Sequence, residues 1–138
     1  MQEPEPAPLS GGRVGLSQQA RRLAERGEEI AVQYLRALGL RILDRNWRSG
    51  RRELDVVAQE GDVVAFVEVK ARRAGPQDPL EAIDRVKRRE VRRAAAAWIR
   101  QHPGAGKEFR FDAVGVQFED GRDPAVQHIR NAFFGEDG

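Results

Sequence analysis

Glu68 and Lys70 interrupt the most apolar stretch of this sequence, "FVEVKARR" at residues 66–73, where folding alone would favour Ile or Leu. Side chains two apart on a strand share a face, so Phe66, Glu68 and Lys70 point one way, Val67 and Val69 the other. In the preceding run, "RELDVVAQ" at residues 52–59, the same alternation sets Glu53, Asp55 and Val57 against Leu54, Val56 and Ala58. Only a short turn at Glu60-Gly61 separates the runs. That makes them a hairpin and brings Asp55 and Glu68 onto one face near one end. Two carboxylates that close in a partly buried site repel, and one protonates unless a cation lies between them. Oxygen donors favour Mg²⁺, Mn²⁺ or Ca²⁺ over zinc. Lys70, one pleat from Glu68, can offset charge, orient or activate a water and stabilise a developing oxyanion. The competing structural explanation is a simple Glu68–Lys70 ion pair at a sheet edge.

The elements that must position these groups follow from the rest of the chain. Residues 1–16, "MQEPEPAPLSGGRVGL", are rich in Pro, Gly and Glu without a period and read as a disordered tail. A helical pattern runs from Ser17, a suitable N-cap, to Gly39, a glycine suited to the position after a helix end. Strands are expected at 40–48, 52–59 and 62–70. The loop "ARRAGPQDP" then leads through Pro79 to a helix over 80–101, with further strands at 107–118 and 125–133. In the order α-β-β-β-α-β-β the first three strands form an antiparallel meander. The helix between the third and fourth is long enough for a crossover that makes this pair parallel. The expected fold is α/β, a mixed sheet flanked by helices, in one domain over 17–134 with a short tail at 135–138.

The helices add two more charges that break the local pattern. At about 100° per residue, Ala20, Ala24, Ala31, Leu35 and Leu38 form one stripe of the first helix with Glu28 at its margin, while Glu25 and Glu29 point away. Glu28 therefore turns towards the sheet. In the second helix Leu80, Ile83, Val91, Ala94 and Trp98 form the buried stripe, with Arg85, Arg88, Arg89 and Arg92 on the outer face. Lys87 lies at the centre of that stripe, placed either to snorkel or to reach an anionic site. Breaks of this kind gather where function is located. Net charge is only +2, yet Arg clusters at 48, 51 and 52, at 72 and 73, and from Arg85 to Arg93. Such clusters suggest an anionic polymer as partner or, for any one of them, a solvated helix face. The chain has no cysteine, which excludes a disulfide scaffold, a thiol nucleophile and a Cys-ligated zinc site. With no long apolar run and no signal-like N-terminus, a cytoplasmic protein without a membrane span is expected.

Glu53-Leu54-Asp55, a short hairpin and Glu68-Val69-Lys70 together resemble the Asp…Glu-x-Lys signature of the restriction-endonuclease-like nucleases, which include Holliday-junction resolvases. More closely, "GEEIAVQYLRALGLRILDRNWR", "ELDVVAQ", "FVEVKARR" and "RFDAVGV" are similar to the YraN family of predicted endonucleases, from about Gly27 to Val116. The resemblance implies a restriction-endonuclease-like αβββαβ core and a divalent-metal phosphodiesterase site. By position, Asp55 and Glu68 would be metal ligands, with the Val69 carbonyl as a third, and Lys70 would place the nucleophilic water. Glu28 matches the helical acid beside the metal, a candidate further ligand, and Lys87 matches a recurrent basic position. Arg52 stands where the family usually carries Gly, a departure that leaves the ligands intact.

These expectations combine into Mg²⁺- or Mn²⁺-dependent hydrolysis of DNA, with Asp55, Glu68, Lys70 and Glu28 catalytic. Arg48, Arg51, Arg52, Arg72, Arg73 and Lys87 would grip the phosphate backbone. Neither His102 nor His128 adjoins the motif, so a histidine base is not expected. No base-reading motif appears, which favours recognition of shape or branched DNA, and the resolvase analogy suggests a homodimer. Competing readings are a non-catalytic nucleic-acid-binding module on the nuclease fold, and a structural acid pair with a protein partner at the apolar C-terminus around Phe133 and Phe134.

Overall fold

Residues 11–75 and 85–132 are described by the computed structural model. The first helix, α1 (Gly11–Ala37), starts at Gly11 rather than Ser17, so residues 11–16 belong to the helix and not to the expected tail. Once the turns around Ala31 and Leu35 are packed, extending a helix backwards adds a hydrogen bond per residue without a new nucleation cost. At the other end the helix stops where the sequence predicts. Leu40 N–H donates to the Leu35 carbonyl at 3.0 Å and Gly39 N–H to that of Arg36 at 2.9 Å. Gly39 sits at φ 99°, and Leu40 joins Leu35 in the core, the two features of a Schellman ending.

The strands β1 (Arg41–Ser49), β2 (Arg52–Glu60) and β3 (Val63–Arg73) precede helix α2 (Arg85–Gln101), after which come β4 (Glu108–Phe118) and β5 (Ala125–Ile129). They form one five-stranded sheet in chain order. Every neighbour is antiparallel except β3 and β4, which α2 connects as a parallel pair. This is the α/β mixed sheet flanked by helices that the sequence predicts, consistent with a restriction-endonuclease-like core.

The helices cover opposite faces. Ala31, Val32 and Leu35 of α1 pack on Val56, Ala58, Val67, Val114 and Val116. Val91, Ala94 and Trp98 of α2 pack on Leu54, Val57, Phe66 and Ala113. α1 crosses β3 closely at Gly27, where a Cβ would stand 2.5 Å from the Ala71 Cβ. β3 is longer than its sequence suggests: pairing with β4 continues to Arg73↔Phe118, so the ladder draws Arg72 and Arg73 out of the expected loop. β5 is shorter, ending at Ile129 before a turn in which Asn131 has φ 55°. Pro79, Leu80 and Ile83 at the expected start of the second helix lie outside the described residues. So do Phe133, Phe134 and both chain ends.

Candidate metal centre

β2 and β3 pair only from Glu60↔Val63 to Val56↔Val67. Beyond that point β2 stays with β1 as far as Ser49↔Arg52, and β3 stays with β4 as far as Arg73. Asp55 and Glu68 are the first residues past the last pair, one on each arm of this fork. The Val69 N–H, which a continued ladder would offer to a β2 carbonyl, donates instead to Asp55 Oδ2 at 2.8 Å. The N–H and C=O of one strand residue point to the same side, so the Val69 carbonyl faces the fork as well.

The same point reverses the alternation of two strands. On β1, Arg45 and Asn46 both reach towards α1, while Trp47 packs with the α2 cluster. Asn46 has φ 51°, the left-handed conformation that Asn tolerates better than most residues, and this turns the strand over. On β2, Val56 and Ala58 lie on the α1 side and Leu54 on the α2 side. The sequence alternation grouped Leu54 with Val56; the turnover separates them. Asp55 sits at that turnover, with its carboxylate directed across the sheet to β3 rather than to either helix.

Asp55 therefore feels charges from both faces. Glu68, only 3 % exposed, points to the α2 side, where Lys87 Nζ stands 3.2 Å from its Oε2. Burial and the Asp55 carboxylate push the Glu68 pKa up to about 8, against the opposing pull of Lys87 and Lys70. Asp55 is also raised, chiefly by burial, although the Val69 amide and Lys87 favour its charged form. Burial alone would lower Lys87, but Glu68 and Asp55 outweigh it and hold the ammonium above its ordinary value. On the α1 side, Glu28 is buried and raised by desolvation and by Asp55, while Asn46 Nδ2 donates to its Oε1 at 2.7 Å and Arg45 lies 3.6 Å away. Glu28 is thus a neighbour of Asp55 whose oxygen already has partners.

Most of the expected basic residues ring the open end of the fork. Arg48 pairs with Glu53 at 3.4 Å, Arg51 is exposed in the β1–β2 turn, and Arg52 reaches Glu90 of α2 at 3.4 Å. Lys70 and Arg72 share the Glu68 side of β3 by alternation, and the Arg72 Nε is shielded from solvent without a hydrogen-bond partner among the described residues. Arg73 falls on the other side, towards α1, 3.9 Å from Asp120. The sheet turns this member of the predicted phosphate-gripping set away from Glu68.

The donor set fits a hard divalent cation. Asp55 and Glu68 supply only oxygens and repel each other, and burial raises both, Glu68 to about 8. No three His, Asp or Glu side chains converge among the described residues. The remainder of a ligand set would fall to the Val69 carbonyl and to oxygens from outside the chain.

Residues 27–116 match the model of the family described as "Uncharacterised protein family UPF0102". The chain belongs to that family. It is the YraN-like family to which the motifs point. A UPF0102 protein of Rhodococcus opacus is 42% identical over 112 residues, covering 80% of this chain and 95% of the relative. One from Anaeromyxobacter dehalogenans is 41% identical over 129 residues, covering 93% and 96%, and one from Mycolicibacterium vanbaalenii is 44% identical over 105 residues, covering 75% and 87%.

This UPF0102 chain also carries a buried polar cluster that the sequence pattern did not bring out. Asp112 of β4 is fully buried and accepts from Arg110 Nε at 3.0 Å and from Asn131 N–H at 3.1 Å, with His128 Nε2 at 2.9 Å. These bonds tie β5 and the following turn to β4 on the α1 side. At the far end of α2, Trp98 Nε1 donates to Asp44 at 2.8 Å and its ring stacks on His102 at 4.0 Å. Both histidines are thus engaged away from Glu68. Asp112 occupies an inward position of "RFDAVGV", and an acid there was the available signal.

Proposed function

We propose that the protein is a divalent-metal-dependent endonuclease that hydrolyses DNA phosphodiester bonds. The observation that carries this reading is the pair Asp55 and Glu68, placed on the two arms of a strand fork with Lys70 one pleat beyond. Asp55, Glu68 and the Val69 carbonyl would hold Mg²⁺ or Mn²⁺, with Glu28 at the edge of the site. When bound, the ion supplies Lewis-acid stabilisation of charge on the phosphoryl oxygens. Asp55 is oriented by the Val69 amide, and Glu68 by Lys87. Lys70 directs the attacking water and offsets charge at the scissile phosphate. Arg48, Arg51, Arg52 and Arg72 bind neighbouring phosphates. Branched DNA in the cytoplasm is the proposed setting, with a homodimer making one cut per strand. The only membrane statement the fold makes is narrower: among the described residues no helix is long and apolar enough to cross one.

The Lys87–Glu68 ion pair favours a second reading. A lysine ammonium already lies on the carboxylate that a metal needs, as in a module that keeps the fold for nucleic-acid binding alone. Incubating the protein with supercoiled, linear, single-stranded and four-way-junction DNA, in Mg²⁺, Mn²⁺ or EDTA, separates the two. Metal-dependent cutting lost in Asp55→Ala and Glu68→Ala supports the nuclease. Salt-sensitive binding with every substrate intact supports the binding module.

A further inference from the structure

We propose that the cleft between the N-terminal half of α1 and the end of β3 is a second nucleic-acid contact, in which Arg22, Arg26 and Arg73 hold phosphates of a duplex arm extending from the fork. The proposal rests on DNA being the partner of the Asp55–Glu68 site, and it adds the path of that DNA over the protein.

The cleft has a volume of about 740 Å³ and is lined by Gln19, Ala20, Arg22, Leu23, Arg26 and Arg73, three of them guanidinium side chains and none a carboxylate. Its walls follow from the close crossing at Gly27 and Ala71. Upstream of Gly27 the helix overhangs the sheet, and from Gln18 to Arg26 only Leu23 is partly buried. Arg22 and Arg26 are four residues apart, so their like charges face each other on the helix surface and destabilise it. Neither is paired with a carboxylate among the described residues. Arg26 is held in place all the same, its guanidinium 4.6 Å over the Phe118 ring. Arg73 is fixed from below by its ladder partner Phe118 and by the next bond, from Ala74 N–H to the Phe118 carbonyl at 2.6 Å. Among the described residues the acid paired with Arg73 is Asp120, at 3.9 Å and fully exposed, where phosphate can displace it.

Distance joins the cleft to the fork. From Glu68 to Arg73 the strand advances roughly 16 Å, close to five base-pair rises along a duplex axis. An arm that crosses the end of β3 passes from Lys70 and Arg72 on one face to Arg73 and α1 on the other. This gives Arg73, turned away from Glu68, a place on the same polyanion.

The test is salt-dependent binding of a fluorescent duplex and a four-way junction in EDTA, where nothing is cut, from about 50 to about 200 mM NaCl. Each lost phosphate contact lowers the slope of log affinity against log salt by about 0.9, so Arg22→Ala/Arg26→Ala/Arg73→Ala lowers it by about 2 to 3. Arg22→Ala/Arg73→Ala, which leaves Arg26 on Phe118 and so protects folding, lowers it by about two contacts' worth. Arg41→Ala/Arg100→Ala, at the opposite end of the sheet, leaves it unchanged. A lowered slope supports the cleft whether or not the wild type cuts with Mg²⁺. Equal slopes in the wild type and both cleft variants, each shown folded by circular dichroism, overturn it, even if cleavage at Asp55 and Glu68 is established.

Discussion

Glu68→Gln should stabilise the protein at and above neutral pH and leave it unchanged in acid. In the folded protein, burial and the Asp55 carboxylate raise the Glu68 pKa from 4.5 to about 8. Below the unfolded value both states carry the proton, and Glu68 costs nothing. Between the two values the unfolded chain releases a proton that the folded chain keeps. Stability therefore falls by about 1.4 kcal/mol per pH unit across that window. The accumulated penalty approaches 5 kcal/mol by about pH 8, a large share of the stability of a small domain. Above that pH the folded state ionises too, and the loss stops growing. Asp55 and Glu28 are raised in the same direction and deepen the wild-type decline, and because Asp55 interacts directly with Glu68 the difference between the two proteins reports the pair. The substitution also removes the carboxylate from Lys87, whose side chain is 44% exposed and can be hydrated, which limits that cost to about 1 kcal/mol. Urea unfolding in EDTA, in steps from about pH 4 to about pH 9, measures the effect. The two stability curves should diverge as pH rises. Parallel curves, or a variant less stable at high pH, would refute the assignment of Glu68 as a carboxylate the fold keeps protonated at the expense of its charged form.

Other perturbations test the scaffold around the fork. Gly27→Ala should lower stability by about 1–2 kcal/mol despite its better helix propensity, because the Ala71 Cβ cannot move aside, and adding Ala71→Gly should recover most of the loss in thermal unfolding. Asp112→Ala should cost about 3–5 kcal/mol in urea unfolding, since Arg110, His128 and the Asn131 amide lose their common acceptor, while cleavage per folded molecule stays unchanged. Asn46→Gly keeps the positive φ and loses only the bond to Glu28, about 1 kcal/mol, whereas Asn46→Val should cost clearly more because a β-branched residue resists that backbone.

Alternation and hairpin spacing were enough to bring Asp55, Glu68 and Lys70 together, because each broke an otherwise regular pattern. Lys87 was legible for the same reason, a charge centred on an apolar stripe, although its attachment to Glu68 rather than to phosphate needed the packed helix. The fork itself was not legible. β2 and β3 keep strand patterning past Asp55 and Glu68, and nothing local says that each then follows a different neighbour. Asn46 escaped notice because a positive φ within a strand is imposed by tertiary contacts. The sequence places Arg73 in a loop among the phosphate-gripping residues because the strand is expected to end at Lys70. Pairing with β4 lengthened it and sent that side chain to the other face. The helix begins earlier than its sequence suggests because propagation from packed turns overrides the glycines at 11, 12 and 15.

The most direct test of the proposed chemistry is the nicking of supercoiled DNA by the wild type, Asp55→Asn and Lys70→Met, with Mg²⁺ or Mn²⁺ and with binding measured in parallel. Asp55→Asn keeps the shape of the side chain and its bond from Val69 while removing a charge that a metal requires. Metal-dependent nicking by the wild type, lost in both variants and with DNA binding undiminished in Asp55→Asn, is the predicted result. Nicking that survives Asp55→Asn, or proceeds equally in EDTA, would contradict it.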